Sequence, residues 1–334
     1  MKKFLFIFFS LCIGQLSAQD IHLSQFFASD HLLNPAKMGD FDGDYRVTAN
    51  YRNQWREIQS KPLSTYIVSF DKAFHYYSHE IDGGIMVARD EFTGGNLATT
   101  KILLSAAYGY TTESGHNFRV GIQPGFVFRK ANLDGQTFPS QWEYAQGEFS
   151  NPNNGENSQT PSISEFDLDL GVQWSKTFGK STVKIGYAAN HLNMPRDSYF
   201  NQKKDRLRIR NVTHAELDYI ATEKITVQPK LLWMWTAKAN DMVIGSNVKY
   251  KLPNKLFTSA SLGIFYRAGV VRNSDALIPF IGTHFKRFDL GFSYDINIST
   301  LSTDVKRRSA FEFSLIYTGA SLKPKIKTLP CDRY

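Results

Sequence analysis

Apolar and polar residues alternate with a period of two along most of this chain, and this pattern restricts the possible folds more than any other feature. In Phe166–Trp174 the sequence FDLDLGVQW places Phe, Leu, Leu, Val and Trp on one side and Asp, Asp, Gly and Gln on the other. Phe288–Ile298 (FDLGFSYDINI) repeats the arrangement. Strict alternation is typical of a β-strand with one apolar and one polar face. Because no segment shows a sustained helical period with caps, the sequence predicts an all-β fold with almost no helix.

Fourteen such segments follow one another, and most have the length of a tilted strand that crosses a bilayer, about ten residues. The predicted strands cover residues 44–53, 64–73, 82–90, 100–111, 116–129, 165–176, 181–191, 209–221, 224–237, 241–251, 256–268, 276–285, 287–298 and 309–318. After residue 18 no apolar run approaches the roughly 18–20 residues that a membrane-spanning helix needs.

The connections between predicted strands alternate in length. Residues 113–115, 177–180 and 222–223 form short turns after even-numbered strands, whereas residues 130–164 form a long polar connection after the fifth strand. Outer-membrane barrels have short periplasmic turns and longer extracellular loops. The alternative, a secreted β-sandwich or soluble barrel, has no reason to sort its loops in this way. We therefore predict a transmembrane antiparallel up-and-down β-barrel of about 14 strands in the bacterial outer membrane, with both termini periplasmic.

The amino terminus has the features of a secretory signal peptide: two lysines, an apolar stretch, and Leu16-Ser17-Ala18 as a cleavage site. The predicted organisation is a signal peptide (1–18), a periplasmic N-terminal segment (19–43), an outer-membrane β-barrel (44–318) and a periplasmic basic tail (319–334). Cleavage removes one of the two cysteines and leaves Cys331. Cys331 is then an inert thiol, or it forms an intermolecular bond or carries a lipid.

Motifs for catalysis or metal binding are missing from the sequence. The eight histidines lack the spacing of zinc ligands, and neither a Gly-x-Ser-x-Gly motif nor a phosphate-binding loop occurs. Asp167 and Asp169 are predicted to face the lumen of the barrel, as are His214 and Glu216. The sequence therefore predicts a protein that is not an enzyme and has no cofactor or bound metal.

Two basic runs lie in predicted extracellular loops, at residues 203–210 and 306–308. Basic side chains at that position commonly pair with lipopolysaccharide phosphates. The net charge of +8 also suits nucleic acid, but an exported protein has little access to it. We expect outer-membrane lipid and lipopolysaccharide as partners, and no nucleic acid.

Several short motifs together carry a family resemblance. They are Ser24-Gln25-Phe26, Leu33-Asn34-Pro35-Ala36 with Gly39, Tyr51-Arg52-Asn53-Gln54-Trp55, and the ending Pro330-Cys331-Asp332-Arg333-Tyr334. The pattern resembles the PorP/SprF family of outer-membrane proteins associated with the type IX secretion system and gliding motility. The usual ending of that family is Cys-Pro-Arg-Phe, from which Asp332 and Tyr334 depart.

The resemblance implies a barrel that aids export or surface anchoring of a large secreted adhesin, or other type IX cargo, and links it to periplasmic type IX or gliding components. The resemblance also marks ten candidate partner-binding or family-motif residues: Gln25, Asn34, Pro35, Gly39, Arg52, Gln54, Trp55, Cys331, Arg333 and Tyr334. Residues 34–39 either turn the chain into the barrel or form a docking surface, and Trp55 is an interface anchor or a cargo contact. The expected outer contacts are residues 130–164 and 191–208, and the inner ones are 19–43 and 319–334.

Two further function classes remain open from the sequence. One is a porin-like channel or small-solute transporter, which bilayer conductance would reveal. The other is an outer-membrane lipid hydrolase, which would need a serine beside a histidine on the lipid-facing wall.

Overall fold

The computed structural model describes residues 20–55, 62–76, 78–92, 96–132, 141–143, 147–149, 162–197, 206–237, 239–269, 274–298 and 309–320. Its strands are β1 (Tyr45–Gln54), β2 (Leu63–Tyr76), β3 (His79–Phe92), β4 (Leu97–Thr111), β5 (His116–Ala131), β6 (Trp142–Glu143), β7 (Glu148–Phe149), β8 (Ser162–Phe178), β9 (Ser181–Asn190), β10 (Arg210–Ile220), β11 (Ile225–Trp235), β12 (Asn240–Lys251), β13 (Phe257–Ala268), β14 (Ser274–Phe285), β15 (Phe288–Asn297) and β16 (Ala310–Thr318). Before them come two 3-10 turns, Phe26–Ala28 and Pro35–Lys37, and one short α-helix, α1 (Asp30–Leu33). Among the residues described, no helix is long and apolar enough to cross a bilayer.

Fourteen of these strands form one closed antiparallel barrel, which confirms the predicted fold class. Each strand pairs with its sequence neighbours, and β5 pairs with β8 across the small β6–β7 hairpin. The barrel closes between the first and last strands: Asn50 of β1 lies opposite Ser314 of β16 and also opposite Ile67 of β2. A closed barrel leaves no unpaired strand edge in lipid.

The two faces of the barrel wall have opposite character. Apolar side chains on the outer face are exposed, as with Leu104 at 57% and Leu262 at 65%. Charged side chains on the inner face are buried, as with Asp71, Arg119 and Glu312. This arrangement follows directly from the period of two, because successive side chains of a strand point to opposite faces. It suits a barrel with lipid outside and a filled polar interior.

The connections fall into two groups at the two ends of the barrel. One end, the turn end, carries residues 77–78, 112–115, 179–180, 221–224, 252–256 and 286–287. The other end, the loop end, carries 55–62, 93–96, 132–161, 191–209, 236–239, 269–273 and 298–309. The β6–β7 hairpin belongs to the longest connection, where the Trp142 and Phe149 rings lie 4.8 Å apart. β1 begins and β16 ends at the turn end.

The interior of the barrel holds the chain segment that precedes β1. We call residues 20–40 the plug. Most plug residues are buried, including Ser24, Gln25, Asn34 and Met38. The sequence assigned this segment to the periplasm, whereas in the structure it lies within the lumen and contacts the inner face of the wall.

Candidate functional site

The contact between plug and wall is built from many buried ion pairs and hydrogen bonds. At the loop end, Asp20 is ion-paired with Lys101 of β4 and, over 2.7 Å, with Nη1 of Arg210 at the start of β10. The third partner is Nε2 of His191, just after β9, at 2.8 Å. One carboxylate of the plug therefore joins β4, β10 and the residue that follows β9.

His191 completes this cluster as a charged group. Its Nδ1 lies 2.8 Å from Asp167, and its backbone N–H donates to Asp169 over 2.8 Å. Burial opposes the charged imidazole, but the Asp20 charge and the hydrogen bonds to Asp167 and Asp20 outweigh it and raise the pKa of His191 to about 9. His191 is thus an imidazolium at neutral pH.

Asp167, Asp169 and His191 also have possible metal-ligand atoms within 4.8 Å of one another. A histidine ligand needs a ring nitrogen free to bind the metal. Both ring nitrogens of His191 already face carboxylates, and Lys101 supplies a further positive charge. The arrangement therefore favours an ion-pair cluster over a metal centre.

The next plug residues are held by their backbone. The Glu312 carboxylate accepts the backbone N–H groups of Ser24 and Gln25 over 2.6 and 2.8 Å. Arg52 donates to Ser24 Oγ over 2.7 Å and pairs with both Glu312 and Asp295. These groups come from β1, β15 and β16, so they also join the strands on both sides of the closure.

In the middle of the lumen the plug lies directly against the wall. The Asn34 amide donates to the Val172 carbonyl over 3.0 Å, and its oxygen accepts the Ala36 N–H over 2.9 Å, which caps the second 3-10 turn. Gly121 permits the approach, because a Cβ there would lie 2.3 Å from the Pro35 carbonyl carbon. Gly171 does the same for Asn34, whose Oδ1 would lie 1.9 Å from an added Cβ.

A second set of charges fixes the plug towards the turn end. Lys37 pairs with Asp30 over 3.0 Å and with Glu216 of β10. Arg119 of β5 donates to the carbonyls of Ala36, over 2.9 Å, and Met38.

Aromatic contacts also hold the plug against the wall. The Phe27 ring lies 5.3 Å from Phe265 of β13 and 5.3 Å from Phe280 of β14. Phe26 belongs to the same buried apolar cluster, together with Leu232 of β11. The plug therefore contacts strands around the barrel through both polar bonds and apolar packing.

The structure brings several of the predicted motif residues together at this contact. Gln25 donates to Ser293 Oγ over 2.9 Å and accepts from Ser314. Gly39 has a φ of +74° and its N–H donates to Asp71 over 3.2 Å. With Asn34, Pro35 and Arg52, these residues lie at the contact between plug and wall.

The other predicted residues lie elsewhere. Gln54 is half-buried at the loop end and accepts from Arg52 over 3.1 Å. Trp55 follows it with a φ of 63°. Cys331, Arg333 and Tyr334 fall outside the described residues, so their roles stay predictions.

Some of the most important groups were missed from the sequence. No motif marks Arg119, Asp295 or Glu312, although all three occupy inward positions of strands with alternating polarity. Asp20 lies within residues 19–43, the expected inner contacts, but was not singled out. Arg210 was grouped with the basic residues for lipopolysaccharide. It is instead buried against Asp20 and the Ile21 carbonyl, because it occupies an inward position at the start of β10.

A closed barrel with an apolar outer face and its own N-terminal segment in the lumen defines a plugged membrane barrel of the outer-membrane type. A comparison with family models matches residues 15–317 to the type IX secretion system membrane protein family PorP/SprF. The chain belongs to this family, which confirms the resemblance of its motifs. No curated protein sequence matches the chain.

Solved barrels share the fold at low sequence identity. The CymD monoaromatic hydrocarbon channel has a TM-score of 0.52 and 11% identity, covering 92% of this chain and 95% of that one. The Ralstonia pickettii toluene transporter TbuX has a TM-score of 0.50 and 9% identity, covering 92% and 96%. At these identities the similarity concerns the fold alone.

Proposed function

We propose that this barrel is a non-enzymatic component of the type IX secretion system in the bacterial outer membrane. It aids export or surface anchoring of a large adhesin and links that cargo to periplasmic machinery. Membership of the PorP/SprF family carries the proposal. The filled lumen supports it, because a barrel occupied by its own chain is suited to binding partners at its ends rather than to passing solutes.

The partner surfaces follow from the two ends of the barrel. The long connections at the loop end, above all residues 132–161 and 191–209, are the proposed contacts for the secreted cargo and lipopolysaccharide. The basic tail at 319–334 follows β16 at the turn end and is the proposed contact for periplasmic components. The plug is bonded to the wall and offers few free groups to a partner in this state.

The test is a gentle-detergent purification of the tagged protein from its own cells, followed by mass spectrometry. We expect co-purification of a very large secreted adhesin or of periplasmic type IX components. A matched variant with the tail shortened after residue 320 should lose the periplasmic set and keep the adhesin. Recovery of the barrel without partners from both preparations would contradict the proposal.

A second candidate is a small-solute channel. The fold similarity to the CymD hydrocarbon channel favours it, while the bonded plug opposes it. Steady conductance of the purified barrel in planar bilayers would favour this candidate.

A further inference from the structure

The two ends of the plug are held at opposite ends of the barrel. Asp20, Ser24 and Gln25 bond to wall residues near the loop end, such as Arg210, the first residue of β10, and Glu312, the third of β16. Asp40 bonds to Lys184, the fourth residue of β9, near the turn end. The plug therefore runs the length of the lumen.

Only one of these ends is free to move away. The chain continues from the turn end directly into β1, which pairs with β2 and β16. With the signal peptide removed after Ala18, as the sequence predicts, the loop-end terminus lies one residue before Asp20. Release of the plug can therefore start at the loop end, while β1 holds the other end in place.

The loop-end bonds are concentrated on very few plug groups. Asp20 alone holds Lys101, His191 and Arg210. Ser24 Oγ accepts from both Arg52 and Arg267, over 2.7 and 2.9 Å, and donates to Asp295 over 2.9 Å. Loss of the Asp20 charge would leave the buried cations Lys101 and Arg210 without the plug carboxylate that pairs with them, and such unpaired buried charges are strongly unfavourable.

We infer that the plug is a tethered gate that closes the lumen to ions, is latched by Asp20 at the loop end, and opens from that end while β1 retains it. The inference is independent of which cargo the barrel serves, since it concerns the isolated barrel.

Single-channel recording of the purified full barrel in planar bilayers tests the gate. We expect the wild-type barrel to be closed nearly all the time. Asp20→Asn should raise the open fraction on the order of 100-fold, because removing one partner of a buried ion pair strongly destabilises the closed state. Asp40→Asn is the matched control: it removes another plug aspartate paired with a wall lysine, but at the tethered end, and its open fraction should stay near that of the wild type.

A labelling experiment reports the plug directly. Ala28 of the plug is buried and its side chain makes none of the bonds described above, so Ala28→Cys in a Cys331→Ser background should be protected from a membrane-impermeant maleimide. Adding Asp20→Asn should make the same thiol react, whereas adding Asp40→Asn should not. Ser114→Cys, in an exposed turn, provides the fully labelled reference, and slower gel migration after boiling verifies that each variant is folded.

Three results would overturn the inference. One is a wild-type barrel that conducts continuously. Another is a folded Asp20→Asn barrel that stays silent and in which the thiol introduced by Ala28→Cys remains protected. The third is equal opening by Asp20→Asn and Asp40→Asn, which would exclude release from the loop end. None of these results depends on recovering partners from cells, so the proposed function and the gate can fail separately.

Discussion

At the scale of single residues, the lumen is organised by charged groups that each bond several partners. Glu312 holds two successive backbone N–H groups of the plug and pairs with Arg52. Such charge-assisted bonds are stronger than neutral ones. Alternation in the sequence placed these residues on the inward faces, but it gave no indication of their partners, because Glu312 and Ser24 lie 288 positions apart.

The charge on His191 leads to a pH prediction. Its pKa of about 9 in the folded state lies above the reference value of about 6.5. The charged His191 ring therefore contributes its full stabilisation of the folded state below about pH 6.5, and this contribution is lost as the pH rises through about 9. We expect the urea midpoint of the refolded barrel to fall across this window.

His191→Gln provides the control for this pH dependence. The variant keeps a polar side chain without a titrating ring. Its urea midpoint should therefore fall less than that of the wild type between about pH 6.5 and 9. Equal pH slopes for the wild type and His191→Gln would show that folding does not raise the pKa of His191. The groups facing His191 are Asp20, Asp167, Asp169 and Lys101.

At the scale of elements, strands were predictable and the plug was not. Each of the fourteen predicted segments corresponds to a barrel strand, because a wall between lipid and a polar lumen forces a period of two on every strand. The β6–β7 hairpin escaped prediction because two-residue strands have no period to detect. The plug contains only single turns of helix, and its position depends on wall residues that are distant in sequence.

Glycines on the inner face give a test of plug packing. Gly121→Ala would place a Cβ 2.3 Å from the Pro35 backbone, so plug or strand must shift. We expect a loss of about 1–3 kcal/mol, typical of overpacking, measured from urea midpoints. Gly83→Ala is the control, because the nearest atom to its added Cβ is 3.8 Å away. Equal midpoints for the two variants would mean that the plug does not pack against Gly121.

At the scale of the whole molecule, the exposed apolar surface defines how the barrel meets lipid. Leu262 lies in the middle of β13 and is 65% exposed. Leu262→Lys should cost about 2–4 kcal/mol in lipid vesicles, the cost of a basic residue at the bilayer midplane. The measurement is reversible unfolding into urea from vesicles.

A control at the end of a strand separates the effect of depth in the bilayer from the effect of the lysine itself. Ile220 ends β10 at the turn end and is also exposed. Ile220→Lys should cost only about 0–1 kcal/mol, because the penalty decreases towards the interface. The same cost at both positions would contradict the placement of Leu262 in the bilayer core.

The bonds between the first residues and the last strand also constrain the order of assembly. Ser24 and Gln25 leave the ribosome early, whereas Glu312, which binds their N–H groups, is made near the end of translation. Contacts of such long sequence separation form slowly. Because β16 seals the wall beside β1, the bonds between Glu312 and the first residues of the plug can form only once the last strand is in place. Correct bonding of the first residues therefore favours closure of the barrel by the final strand.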